Sequence, residues 1–122
     1  MNYGKELILD LHECNPKKFN RKSLRKFFGE MCELLNMEAC DLHFWDYHGY
    51  AKEYEDAPDH LKGTTAIQFI STSNITIHCL DVLKSVYLNI FSCKNFDRLK
   101  AMNFCKDYFE GRFKGYHFLT RG

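Results

Sequence analysis

The sequence predicts an α+β domain: a two-layer α/β sandwich with a mainly antiparallel sheet and two helices on one face, pairing as an αββα dimer. Three observations predict it. Six short runs rich in branched and aromatic residues have the length of strands rather than helices. Only two segments repeat apolar residues at helical spacing. The strand runs carry apolar groups on both faces, more than two helices can cover, so a second copy of the chain is expected against the uncovered face. At 122 residues the chain has room for one domain, taken as 1–122, with a real core.

Residues 7–11, Leu-Ile-Leu-Asp-Leu, form the first strand run and read as buried on both faces. A helix follows, in which Leu24, Phe27, Phe28, Met31, Leu34 and Leu35 recur every three or four residues and Asn20 stands where a cap belongs. A second strand is expected over 41–47. Residues 48–62 contain Gly49, Pro58 and a mixture of charges, and read as an exposed loop. A loop of that length in a compact domain is often functional. Strands over 66–70 and 74–78 flank a polar break at Ser71-Thr72-Ser73, and 86–91 alternates Val86, Leu88 and Ile90 against Tyr87, Asn89 and Phe91. A second helix should start near Asn95 or Asp97, bury Leu99, Met102, Cys105 and Phe109, and close on a left-handed Gly111. The last strand is expected over 116–119.

Seventeen basic and sixteen acidic side chains nearly cancel. No global field draws in nucleic acid or an anionic membrane, so neither is an expected partner. The six cysteines (Cys14, Cys32, Cys40, Cys79, Cys93, Cys105) lack CxxC pairs and no signal-peptide pattern opens the sequence, so reduced thiols in a cytoplasm are expected. No apolar run approaches the roughly 20 residues that cross a bilayer. The histidines and cysteines lack paired ligand spacing, so no metal is expected.

Three side chains carry the functional reading: Ser73 at the polar break, His78 near the end of the following strand run, and Cys93 after the next. Taken singly, each has an ordinary structural explanation. Ser71-Thr72-Ser73-Asn74 suits a turn whose side chains bond the local backbone. His78 suits a hydrogen-bonded core or interface position. Cys93 suits a small buried apolar site.

Together, Ile70-Ser71-Thr72-Ser73-Asn74-Ile75-Thr76-Ile77-His78 and the strand ending Phe91-Ser92-Cys93 resemble the processing and active site of the prokaryotic S-adenosylmethionine decarboxylases. The likeness runs nearly end to end, from Gly4-Lys5 and Glu13-Cys14 to Arg121-Gly122. It implies a self-processing, pyruvoyl-dependent decarboxylase acting in polyamine (spermidine) synthesis, cytoplasmic and homodimeric, with active sites where two protomers meet. It implies cleavage between Thr72 and Ser73, with the Ser73 hydroxyl attacking the Thr72 carbonyl. Residue 73 then becomes a pyruvoyl cofactor, which forms a Schiff base with the substrate amine and accepts electrons as carbon dioxide leaves. By the same resemblance His78 assists processing, Thr65 supports its geometry, and Cys93 returns a proton to the substrate α-carbon.

Two positions depart from the family pattern. Thr72 stands where the family commonly has glutamate before the cleavage serine, and Val82 stands where a glutamate binds the substrate ribose. Asp81 is one residue early for that contact, and in a regular strand such an offset points to the other face. Phe44 and Trp45, with Tyr47, precede the loop where the family places a ring that stacks on adenine. The Val82 departure leaves a second substrate class open: ornithine or arginine on the same scaffold, with Asp81 or a loop acid (Glu53, Glu55, Asp56, Asp59) as counter-charge. An unprocessed, non-catalytic binding or regulatory homologue is the third alternative.

Overall fold

A computed structural model describes residues 2–122. The strands are β1 (Gly4–His12), β2 (Ala39–Trp45), β3 (Gly63–Ile70), β4 (Ser73–Leu80), β5 (Ser85–Ser92) and β6 (Arg112–Arg121). The helices are α1 (Arg21–Leu34), α2 (Ala51–Asp56) and α3 (Arg98–Phe109), with single 3₁₀ turns at Pro16–Lys18 and Asp59–Leu61. All six strands join one antiparallel sheet in the order β2-β3-β4-β5-β1-β6. This is the expected α+β architecture.

α1 starts where Asn20 accepts the Ser23 N–H at 2.9 Å, and α3 where Asp97 accepts the Lys100 N–H at 3.1 Å. Each cap satisfies a backbone donor that the first helical turn leaves unpaired. Both helices lie on one face of the sheet, where Leu7, Leu9, Leu11, Ile75, Ile77, Cys79, Val86, Leu88 and Ile90 alternate inward to form the core. Phe27 joins the two helices: its ring centroid lies 4.8 Å from that of Phe109, 5.3 Å from Tyr108 and 5.5 Å from Phe104. The opposite face carries Ile8, Ile67, Phe69, Tyr87 and Phe91, none fully buried, so β1 is buried on one face rather than two.

Several expectations are corrected. Leu34 and Leu99 are exposed, because each lies to the side of the buried stripe of its helix; Cys32 and Ala101 take the inner positions. Residues 48–62 are not an irregular loop but hold α2 and a 3₁₀ turn, tied down where the Tyr54 hydroxyl donates to Asp81 Oδ2 at 2.8 Å. The left-handed residue closing α3 is Glu110 (φ 54°), not Gly111. Gly111 is required for closeness instead: a Cβ there would stand 2.6 Å from Cys14 Sγ. The second strand begins and ends two residues early, at Ala39–Trp45, and the last runs on both sides of 116–119. Among the described residues no helix is long and apolar enough to cross a membrane.

Candidate active site

β3 and β4 form a hairpin closed by Ser71 and Thr72, with Ile70 opposite Ser73. Thr72 sits in the left-handed region at φ 54°. For a β-branched residue that conformation costs roughly 1–3 kcal/mol, so strain is stored at the residue directly before Ser73. Ser73 faces the helix side, is buried, and lies beside the end of β5 because Asn74 pairs with Phe91. Its Oγ accepts the backbone N–H of Cys93 at 3.0 Å. The Thr72 hydroxyl bridges the Ser71 carbonyl (2.7 Å) and Cys93 Sγ (3.2 Å).

The sulfur at this site differs from most of the others. Burial pushes the Cys14 and Cys32 thiols up to about 11, and raises the fully buried Cys79 and Cys105 as well. At Cys93 the Thr72 hydroxyl, hydrogen-bonded at the sulfur, and then the neighbouring Ser73 hydroxyl hold the thiol below its ordinary value. The three side chains open onto a cleft of about 300 Å³ whose wall includes Asn36, Met37, Glu38 and Lys94. Those four residues of the α1–β2 connection and the end of β5 were not singled out in the sequence. The left-handed Asn36 (φ 59°) after an amphipathic helix is the one local signal that the chain turns there.

His78 is placed elsewhere. It is five residues from Ser73 along an unbroken strand, about 16 Å at ~3.3 Å per residue, and the odd offset turns it to the open face. The expected action of His78 on Ser73 is therefore not met within one chain. Its partner is Thr65, directly across the β3–β4 ladder, with Oγ1 2.9 Å from Nδ1. Both line a second cleft, of about 370 Å³, that also holds Trp45, Leu61 and Tyr87.

The remaining candidates separate. Trp45 is 65% exposed on the open face, edge-on to Tyr47 at 5.7 Å. Phe44 faces the helices instead, beneath the guanidinium groups of Arg21 and Arg25, and does not share the Trp45 cleft. Asp81 follows the far end of β4, where desolvation raises its carboxyl above the usual range and only one oxygen finds a donor, Tyr54. It borders a third cleft, with Tyr47, His48 and Arg21, and not that of Ser73. Val82 is exposed beside it. Among the described residues no group of three or more His, Cys, Asp or Glu side chains converges.

The arrangement brings a serine, a strained preceding peptide and a polarised thiol together, the parts an intramolecular acyl shift requires. The structure is similar to the crystal structure of the adenosylmethionine decarboxylase from Aquifex aeolicus VF5, at a TM-score of 0.75 and 16% sequence identity, over 99% of this chain and 92% of that one. At that identity the likeness is one of fold. No curated protein matches the chain. The sequence profile of the S-adenosylmethionine decarboxylase family matches residues 5–122. Matched over nearly its whole length, this chain belongs to the S-adenosylmethionine decarboxylase family.

Proposed function

We propose that the chain cuts itself between Thr72 and Ser73, converts Ser73 to a pyruvoyl group, and decarboxylates S-adenosylmethionine in polyamine synthesis. One observation carries the reading: a threonine strained into the left-handed region directly precedes a serine whose Oγ is fixed by the Cys93 amide. A hydroxyl fixed next to a strained residue favours attack on that residue's carbonyl carbon, because the strain is relieved when the amide breaks. The cleft around position 73 is apolar at Met37 and Ile70 and polar at Ser92 and Cys93, which suits a small keto-acyl cap. Once formed, that group supplies an electron sink for the pair released as carbon dioxide leaves. Cys93 stands within reach to return a proton to the substrate carbon. No metal enters the reading.

The reading is completed by a homodimer of two-chain protomers. Thr65 and His78 lie on the face that the helices leave open, beside Ile67, Phe69 and Tyr87, while Ser73 and Cys93 lie in a different cleft. We assign the Thr65–His78 pair to the active site of a second copy, docked through the open face, with Trp45 offering its ring to the adenine. S-adenosylmethionine is favoured over ornithine or arginine because Asp81, the candidate counter-charge for a basic amino acid, is engaged by Tyr54 at the far end of β4.

Mass spectrometry of purified protein tests the cut. Two pieces are expected, residues 1–72 and a fragment starting with a keto-acyl group at 73; a single intact species of 14.5 kDa overturns the reading. Carbon dioxide release assayed with S-adenosylmethionine, ornithine and arginine in parallel then identifies the substrate.

A further inference from the structure

The Thr72 hydroxyl is the second donor-acceptor at Cys93, and the proposed chemistry leaves it without a role. It lies 2.7 Å from the Ser71 carbonyl and 3.2 Å from Cys93 Sγ, and a hydroxyl has one proton to place. With Cys93 as a thiol, the S–H points at Thr72 Oγ1 and the threonine proton goes to the Ser71 carbonyl. With Cys93 as a thiolate, the threonine proton turns to the sulfur. The Ser73 hydroxyl, held beside Cys93 by that residue's backbone N–H at 3.0 Å, also favours the anion. Lys94, the next residue, contributes a favourable charge, and Glu38 is the acid that lines the same cleft.

We propose that Thr72 is a positioning residue: its hydroxyl supports the Cys93 thiolate while the chain is intact, letting this sulfur take the Ser73 proton in the cut, and the cut then withdraws that support. The inference rests on the self-cleavage reading and deepens it.

The steps balance. Ser73 Oγ–H gives its proton to the Cys93 thiolate as Oγ bonds to the Thr72 carbonyl carbon; the bond from that carbon to the Ser73 nitrogen breaks, and the Cys93 S–H protonates the nitrogen. An amide has become an ester and the thiolate is restored. Removal of the residue-73 α-proton by a base then breaks the Cβ–Oγ bond and Thr72 leaves as a carboxylate; the dehydroalanine left takes a proton at Cβ to become an imine, which water hydrolyses with release of ammonia. The Ser73 hydroxyl no longer exists at that point, the Thr72 hydroxyl is on a free chain end, and a new carboxylate stands near the sulfur. All three changes favour the protonated thiol. Cys93 is thereby converted from a base suited to cutting into an acid suited to returning a proton to substrate. Thr72 supplies a neutral donor at this point, where a carboxylate would oppose a thiolate.

The test reads Cys93 directly. In the uncuttable Ser73→Ala chain, the pH midpoint of Cys93 alkylation is followed peptide by peptide, since Cys40 is also exposed. Adding Thr72→Val is expected to move that midpoint up by about half to one pH unit, while Thr72→Ser restores it. The cut wild-type protein should show a midpoint above that of the Ser73→Ala chain. In the otherwise native chain, Thr72→Val should slow formation of the 73–122 fragment about tenfold and Thr72→Ser recover most of the rate. Coincident midpoints with and without the Thr72 hydroxyl, or cutting of Thr72→Val at the native rate, overturn the proposal. The failures are separable. A wild-type chain that never cuts, with the midpoint difference present, overturns the self-cleavage reading and with it this role of Thr72; a chain that cuts while the midpoints coincide overturns the role of Thr72 alone.

Discussion

Thr65 Oγ1 and His78 Nδ1 stand 2.9 Å apart across the β3–β4 ladder, on the face of the sheet opposite Ser73. A bond at Nδ1 fixes the ring's orientation and leaves Nε2 available on an exposed side chain. In the proposed dimer it serves the neighbouring site, as the base that removes the residue-73 α-proton. His78→Ala is expected to slow fragment formation about a hundredfold or more and to leave an ester at Thr72 that hydroxylamine traps; Thr65→Val should slow it about tenfold. Denaturing mass spectrometry with and without hydroxylamine reads both.

The open face must be covered for that site to be complete. Phe69 is 43% exposed there and Ile67 flanks it. A charge placed at either position opposes burial of the face, at a cost of several kcal/mol for an unpaired ion. Ile67→Glu and Phe69→Glu are expected to sediment as monomers at micromolar concentration, and their cleavage and decarboxylation should fall together.

Gly4 approaches the end of β5 so closely that a Cβ would run into the Ser92 carbonyl oxygen and stand 2.9 Å from Cys93 Cα. Backbone, unlike a long side chain, cannot swing aside. Gly4→Ala should therefore destabilise by about 1–3 kcal/mol and displace Cys93 from Ser73, seen as a lower urea midpoint and slower cutting. Gly29 is the control: it lies in α1 with nothing within 4 Å of where a methyl group would stand, and Gly29→Ala should stabilise by about 0.5–1 kcal/mol.

Asp81 gives a pH signature. Desolvation raises its carboxyl in the folded state, so the folded protein binds this proton more tightly than the unfolded chain does. Its contribution is fully present below the unfolded value of about 3.9 and is lost as pH rises through the folded one. Asp81→Asn keeps an acceptor for the Tyr54 hydroxyl without the charge. It is expected to melt about 2–5 °C higher at pH 7, with the gap closing as pH falls toward 4. The Arg21–Asp46 pair runs the other way: Arg21 hydrogen bonds hold the Asp46 carboxyl down, so that contribution is lost on acidification.

Much of this was legible in the residues because local and tertiary demands agree. Asn20 and Asp97 cap helices whose apolar spacing also faces the sheet, and the polar residues at 71–72 form the turn that the flanking strand runs require. Errors arose where only packing decides. Leu99 is three residues from Met102 yet falls outside the buried stripe, while small Ala101 is fully buried in it. α2 has no apolar stripe to announce it, and is positioned through Tyr54. At the site, Ser73 and Cys93 meet because β4 and β5 pair in register. The separation of Ser73 from His78 within one chain was also readable, since an odd offset in a continuous strand reverses the face.

The strand order has a last consequence for a chain severed after Thr72. β1, β2 and β3 belong to the first fragment and β4, β5 and β6 to the second, yet in space they interleave, with β1 wedged between β5 and β6. Three ladders, β3–β4, β5–β1 and β1–β6, stitch one fragment to the other. Neither half owns a sheet it can keep without its mate, so the severed molecule should travel through purification as a single unit and part only in denaturant, and the halves should be unable to exchange between molecules without unfolding.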